Sequence, residues 1–107
     1  MKTQTNDNMK CATALGGLRE VLDPELSLNV VDLGLIYQLN FEERSKEILV
    51  IMTLSTPFCP MGDSIVNSVK NNLTAGFPGY DVQVSLTFDP PWSYQMITKE
   101  GLNFLNR

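Results

Sequence analysis

The chain of 107 residues contains no histidine. That absence removes the usual general base at neutral pH and the commonest metal ligand. Serine-histidine and cysteine-histidine mechanisms are therefore excluded within one chain, leaving thiol, carboxylate, hydroxyl and backbone groups. Cysteine is scarce as well: Cys11 and Cys59 are the only two, 47 residues separate them, and no CxxC pair occurs. Two thiols are too few for a secreted disulfide framework, and a single structural bridge is uncommon in a reducing cytosol, so both are expected as thiols. Basic charge is short too, with 8 Lys and Arg against 12 Asp and Glu and a net charge of −4. No clustered basic surface is available to displace phosphate counterions, so no nucleic-acid partner is expected. The longest largely apolar run, Ile48 to Leu54, is too short to cross a bilayer, and the polar start Met1 to Asn8 lacks the apolar centre of a signal peptide. The expectation is a cytoplasmic protein with no membrane partner.

What is present is an ordinary globular balance, 43% apolar and 19% charged, in a length that suits one domain. Residues 1–8 are polar and unpatterned and read as a flexible N-terminus ahead of a single domain spanning 9–107. Leu15, Leu18, Val21 and Leu22 fall at helical spacing, predicting a helix from about Met9 to Leu22 that stops before Asp23-Pro24. Leu35, Tyr37, Leu39 and Phe41 alternate as a half-buried strand does, the charged stretch Glu42 to Glu47 makes a hairpin loop, and Ile48 to Leu54 is apolar on both faces, as in the centre of a sheet. From Pro60 the period changes: Met61, Ile65, Val69 and Leu73 mark a second helix ending near Gly76. Tyr80 to Phe88 alternates again as a third strand, ended by Asp89-Pro90-Pro91. Ser93 is placed to cap a last helix carrying Met96, Ile97, Leu102 and Leu105.

These elements predict an α/β (α+β) fold: a small mixed sheet of about three strands, a β-hairpin followed by a right-handed βαβ crossover, packed with three helices. In that topology the start of the first strand and the ends of the second and third share one edge. Asp32, Cys59 and Asp89 should therefore lie near one another, on the rim where α/β proteins usually place ligands. Cys59 precedes Pro60, and proline favours the first turn of a helix, so Cys59 is expected at or beside an N-cap. The partial positive charge of a helix start favours the thiolate, the form that binds metal and attacks electrophiles. A buried, inert cysteine is the competing reading. Cys11 has no comparable setting. Asp23, Glu25 and Asp32 suit a metal site or proton handling, yet each equally suits a turn. Ser55 and Thr56 offer hydroxyls to the rim or simply end the strand, and Trp92 could simply cover an edge of the core.

Taken in order, Asp23-Pro24-Glu25, Asp32-Leu33-Gly34, Thr56-Pro57-Phe58-Cys59-Pro60 and Asp89-Pro90-Pro91-Trp92 resemble the SufT and PaaD-like family of metal-sulfur cluster biosynthesis proteins. The resemblance runs from about Leu15 to Leu105. It implies an iron-sulfur cluster assembly or maturation factor, with Cys59 as the functional thiol and Asp23, Glu25, Asp32, Ser55, Thr56 and Asp89 as a supporting rim. Many relatives carry Thr-Thr-Pro before the cysteine, and Ser55 here keeps the hydroxyl but loses a methyl. The Walker-type phosphate loop of longer relatives resembling Mrp-type ATPases is missing, so no nucleotide is expected.

Three functions follow from this reading. In the first, Cys59 transiently ligates labile iron or an iron-sulfur cluster. One cysteine cannot fill a four-thiolate shell, so a second subunit in a homodimer, a partner or a small thiol must complete it. In the second, the protein is an adaptor that binds client apo-proteins and the assembly machinery without metal, including PaaD-like oxygenase maturation. In the third it is a thiol-dependent enzyme, against which the lack of histidine and of CxxC weighs. The expectation is a protein that is not an enzyme.

Overall fold

Alternation of apolar residues along three strands decides which side of the sheet is covered. The structure is a computed structural model and describes residues 3–56 and 62–106. In chain order it contains β1 (Gln4–Thr5), α1 (Asn8–Leu18), β2 (Ile36–Glu42), β3 (Glu47–Met52), α2 (Gly62–Gly76), β4 (Asp81–Leu86), a 3-10 turn (Tyr94–Met96) and α3 (Lys99–Leu105). The sheet has the order β1-β2-β3-β4, with β2 and β3 antiparallel and β3 and β4 parallel. The mixed α/β architecture matches the sequence pattern, with a hairpin followed by a β-α-β crossover.

Register places Leu39 opposite Val50 and Phe41 opposite Ile48, and Ile48 and Val50 in turn opposite Val82 and Val84. This face packs against Cys11, Ala14 and Leu18 of α1 and Ile65, Val69 and Leu73 of α2 in one core cluster. The opposite face carries Asn40, Leu49 and Gln83 in one cross-strand row, and Leu49 is 39% exposed. β3 thus lies inside the sheet, as its composition predicts, but its second apolar face is only partly covered.

Three local features differ from the sequence reading. The sheet has a fourth strand: Gln4 and Thr5, within the stretch read as a flexible N-terminus, pair in parallel with Gln38 and Leu39. Two residues show no periodicity, so only side-chain bonding reveals them; Asn6 both accepts from the Phe41 N–H and donates to its carbonyl, each at 2.9 Å. α1 ends at Leu18 rather than Leu22, because Val21 and Asp23 turn to pair with Val30 and Leu28, leaving Leu22 56% exposed. The last helix begins at Lys99, not after Ser93. Thr98 caps it, accepting from the Gly101 N–H, and the Thr98 N–H is drawn away to the Asp32 carbonyl at 2.8 Å. A tertiary bond there outweighs local helical spacing.

Leu39 is fully buried at the centre of the covered face. Leu39→Ala is expected to cost about 2–5 kcal/mol through the cavity it leaves. In urea unfolding the midpoint should fall with the slope unchanged.

Candidate functional site

Ile36 pairs with Met52, and Met52 with Leu86, so the start of β2 and the ends of β3 and β4 do share one edge. Three segments leave it: the turn 29–34, the stretch Thr53–Thr56, and residues 87–98. α2 also begins here, since a Cβ added at Gly62 would stand 2.8 Å from Leu54 Cδ1.

The turn 29–34 is closed by its own side chains. Asn29 Oδ1 accepts from the Asp32 N–H and Asn29 Nδ2 donates to Asp32 Oδ2, both at 2.8 Å. The other carboxylate oxygen of Asp32 accepts from Thr98 Oγ1 at 2.9 Å. Gly34 has φ +79, a conformation that L side chains rarely adopt, and a Cβ there would lie 2.3 Å from the Met96 carbonyl oxygen. The Asp-Leu-Gly motif is therefore a docking turn for the C-terminal segment. Trp92 Nε1 donates to the Leu33 carbonyl at 2.6 Å, and the ring stacks obliquely on Tyr94 at a centroid distance of 5.3 Å.

Tyr37 fastens the same segment from the sheet. Its hydroxyl donates to the Pro90 carbonyl at 2.8 Å and lies 3.5 Å from Met96 Sδ. Burial pushes the phenol above its ordinary pKa, partly opposed by a hydrogen bond with Thr53. Asp89, next in chain to Pro90, is exposed, and its N–H donates to Thr87 Oγ1 at 3.3 Å. A hollow of about 220 Å³ lined by Tyr37, Ile51, Thr87 and Asp89 opens beside it.

Asp23 is 1% exposed. Its Oδ1 accepts from the Glu25 N–H at 2.8 Å and the Leu26 N–H at 3.3 Å, closing the Asp-Pro-Glu turn, while Oδ2 is buried without a hydrogen-bond partner. Glu25 is exposed, and Ser55 and Thr56 are half-buried just past β3. Cys59 and the helix start expected around it, residues 57–61, lie outside the described residues. Among the described residues no three Cys, Asp or Glu side chains gather so as to hold a metal ion, and no helix is long and apolar enough to cross a membrane. Sequence reasoning passed over Tyr37 and Thr98. A tyrosine in a strand needs a partner for its hydroxyl when buried, and threonine before Lys-Glu-Gly is a cap signal; both were legible cues.

A family model described as iron-sulfur cluster assembly protein matches residues 12–86. The chain belongs to the iron-sulfur cluster assembly protein family. It is 38% identical over 85 residues to an Fe-S protein maturation auxiliary factor of Porphyromonas gingivalis, covering 79% of this chain and 80% of the relative. It is 37% identical over 79 residues to the Fe-S protein maturation auxiliary factor SufT of Staphylococcus aureus, covering 74% and 89% respectively. A crystal structure of a domain of unknown function from Bacillus anthracis superposes with a TM-score of 0.83 at 30% identity, covering 94% of this chain and 98% of that one. In this member of the assembly family, the Asp-Leu-Gly turn and the segment from Pro90 to Thr98 form a single braced wall beside the end of β3.

Two substitutions test the brace. Gly34→Ala is expected to destabilise the fold by more than about 1–3 kcal/mol, since strain at φ is joined by a backbone collision, and thermal unfolding reads it. Tyr37→Phe should cost about 0.5–1.5 kcal/mol by deleting one hydrogen bond. Because the folded phenol pKa is raised, its contribution is full below the ordinary tyrosine range and is lost as pH rises through the folded value. The stability difference between wild type and Tyr37→Phe, followed by urea unfolding against pH, should shrink on the alkaline side.

Proposed function

We propose that this protein matures iron-sulfur proteins by holding iron or a cluster transiently on the Cys59 thiolate and passing it to client apo-proteins, without catalysing a reaction of its own. The observation that carries the reading is the shared edge of the sheet. Leu54 and Gly62, which flank the Cys59 segment, pack together there, next to the wall built by Asp32, Gly34, Tyr37 and Trp92. Supporting roles fall to different physics for different residues. Asp32 holds the wall, Asp23 shapes its turn and keeps one buried oxygen open to a donor, Glu25 is exposed in that turn, and Ser55, Thr56 and Asp89 offer polar groups at or near the surface of this end.

A single thiolate makes an incomplete ligand set, so the cargo is labile and the remaining ligands come from a partner, a second subunit or a small thiol. Lability suits a delivery role, since cargo must leave. The relatives' names as maturation auxiliary factors support this direction. An adaptor that binds clients without metal is favoured by a different observation, the exposed Leu86, Phe88 and Tyr94 close to the wall.

Anaerobic reconstitution with iron and sulfide separates the two. Wild type is expected to develop cluster absorption that bleaches readily with chelator, and Cys59→Ser to develop little. Equal loading of both proteins would remove Cys59 as a ligand, and client capture without any absorption in either would favour the adaptor.

A further inference from the structure

The longest open edge of the sheet is β4, because among the described residues no strand lies beyond it. At the other edge β1 is only two residues long. Edge strands are usually blunted by proline, lysine or a bulge, and Asp81-Val82-Gln83-Val84-Ser85-Leu86 carries none of these.

The direction of its backbone groups is fixed by two bonds. The Asp81 N–H donates to the Lys46 carbonyl at 2.8 Å and the Thr87 N–H to the Met52 carbonyl at 2.9 Å. With the period of two along a strand, odd-numbered residues turn their amides to β3, and Val82, Val84 and Leu86 turn theirs to the open edge. The same three side chains lie on the helix-covered side, opposite Ile48, Val50 and Met52. There Val82 is buried, Val84 half-buried and Leu86 42% exposed, so cover thins toward the end of the strand.

We propose that the protein forms a two-fold dimer in which β4 pairs antiparallel with β4 of a second copy, centred on Val84. The pattern of the strand is self-complementary about that residue. Val84 meets Val84 of the second copy, Val82 meets Leu86, Gln83 meets Ser85 and Asp81 meets Thr87, each pair matching in face and polarity. All three outward-facing residues of each strand then exchange hydrogen bonds, and the exposed Leu86 is covered by Val82 of the second copy. A slip by one residue mismatches the faces and the outward amides. A slip by two toward the C-terminus sets Asp81 opposite Asp89, a like-charge pair. A slip by two the other way leaves Leu86 without an outward-facing match. Only the register centred on Val84 satisfies all three strand residues without facing carboxylates.

Gln83 and Ser85 are exposed, so they can be changed without touching the core. Sedimentation equilibrium of the full chain over a concentration series is expected to show a monomer-dimer equilibrium for wild type. Gln83→Lys with Ser85→Lys places lysines opposite each other twice and should weaken association by about tenfold. Gln83→Lys with Ser85→Glu pairs opposite charges at the same positions and should restore it. On the unaltered chain, amide exchange of Val82, Val84 and Leu86 should slow as concentration rises, while that of Gln83 and Ser85 should not. A wild type that stays monomeric throughout, a double-lysine variant that associates as wild type does, or exchange at Val84 independent of concentration would each overturn the proposal.

Discussion

The approach of the Met96 carbonyl to Gly34 is the constraint on which the braced edge of the sheet depends. Only a glycine leaves room for that carbonyl, and only a residue at ease with φ +79 makes the turn that presents it. Once the two backbones are that close, the neighbouring donors and acceptors fall into reach. Thr98 bonds Asp32 through both its amide and its hydroxyl, Trp92 bonds the Leu33 carbonyl, and Tyr37 bonds the Pro90 carbonyl. Residues far apart in sequence thereby become one rigid wall at the edge where β2 begins and β3 ends. Gly101 extends the contact, since a Cβ there would crowd both Ile97 and Leu28.

This arrangement gives the four motifs a division of labour that their residue types alone do not reveal. Aspartate in Asp-Pro-Glu and in Asp-Leu-Gly looks chemical, yet each spends at least one carboxylate oxygen on closing a turn or bracing the C-terminal segment. The aromatic of Asp-Pro-Pro-Trp is a hydrogen-bonding anchor as much as a cover for the core. What is left for chemistry is narrow: a thiol in a histidine-free chain, a buried oxygen on Asp23 and a few surface polar groups. A single thiol supplies one ligand of the four common to iron-sulfur clusters, which is in keeping with the proposed temporary custody of a cargo.

Much of the architecture was legible in the sequence because it rests on periodicity. Leu39, Phe41, Ile48, Val50 and Val82 all face the helices, and Ile65, Val69 and Leu73 cover them, as spacing of two and of four predicts. The shared edge followed from topology. The features that were not legible depend on tertiary bonds without local periodicity: the two-residue β1, the early end of α1 at Leu18, and the helix that starts at Lys99 instead of after Ser93. The four motifs and the shared edge of the sheet were readable. How Asp32, Gly34 and Thr98 lock together was not, because a turn's partner sixty residues away leaves no mark on the turn itself.

The proposal that the braced rim serves the Cys59 thiol is tested most directly in cells. In a strain lacking its iron-sulfur maturation factor, activity of a cluster-dependent enzyme should be restored by the wild-type chain and not by Cys59→Ser produced at the same level. Full restoration by Cys59→Ser would mean that the protein does not act through the Cys59 thiol.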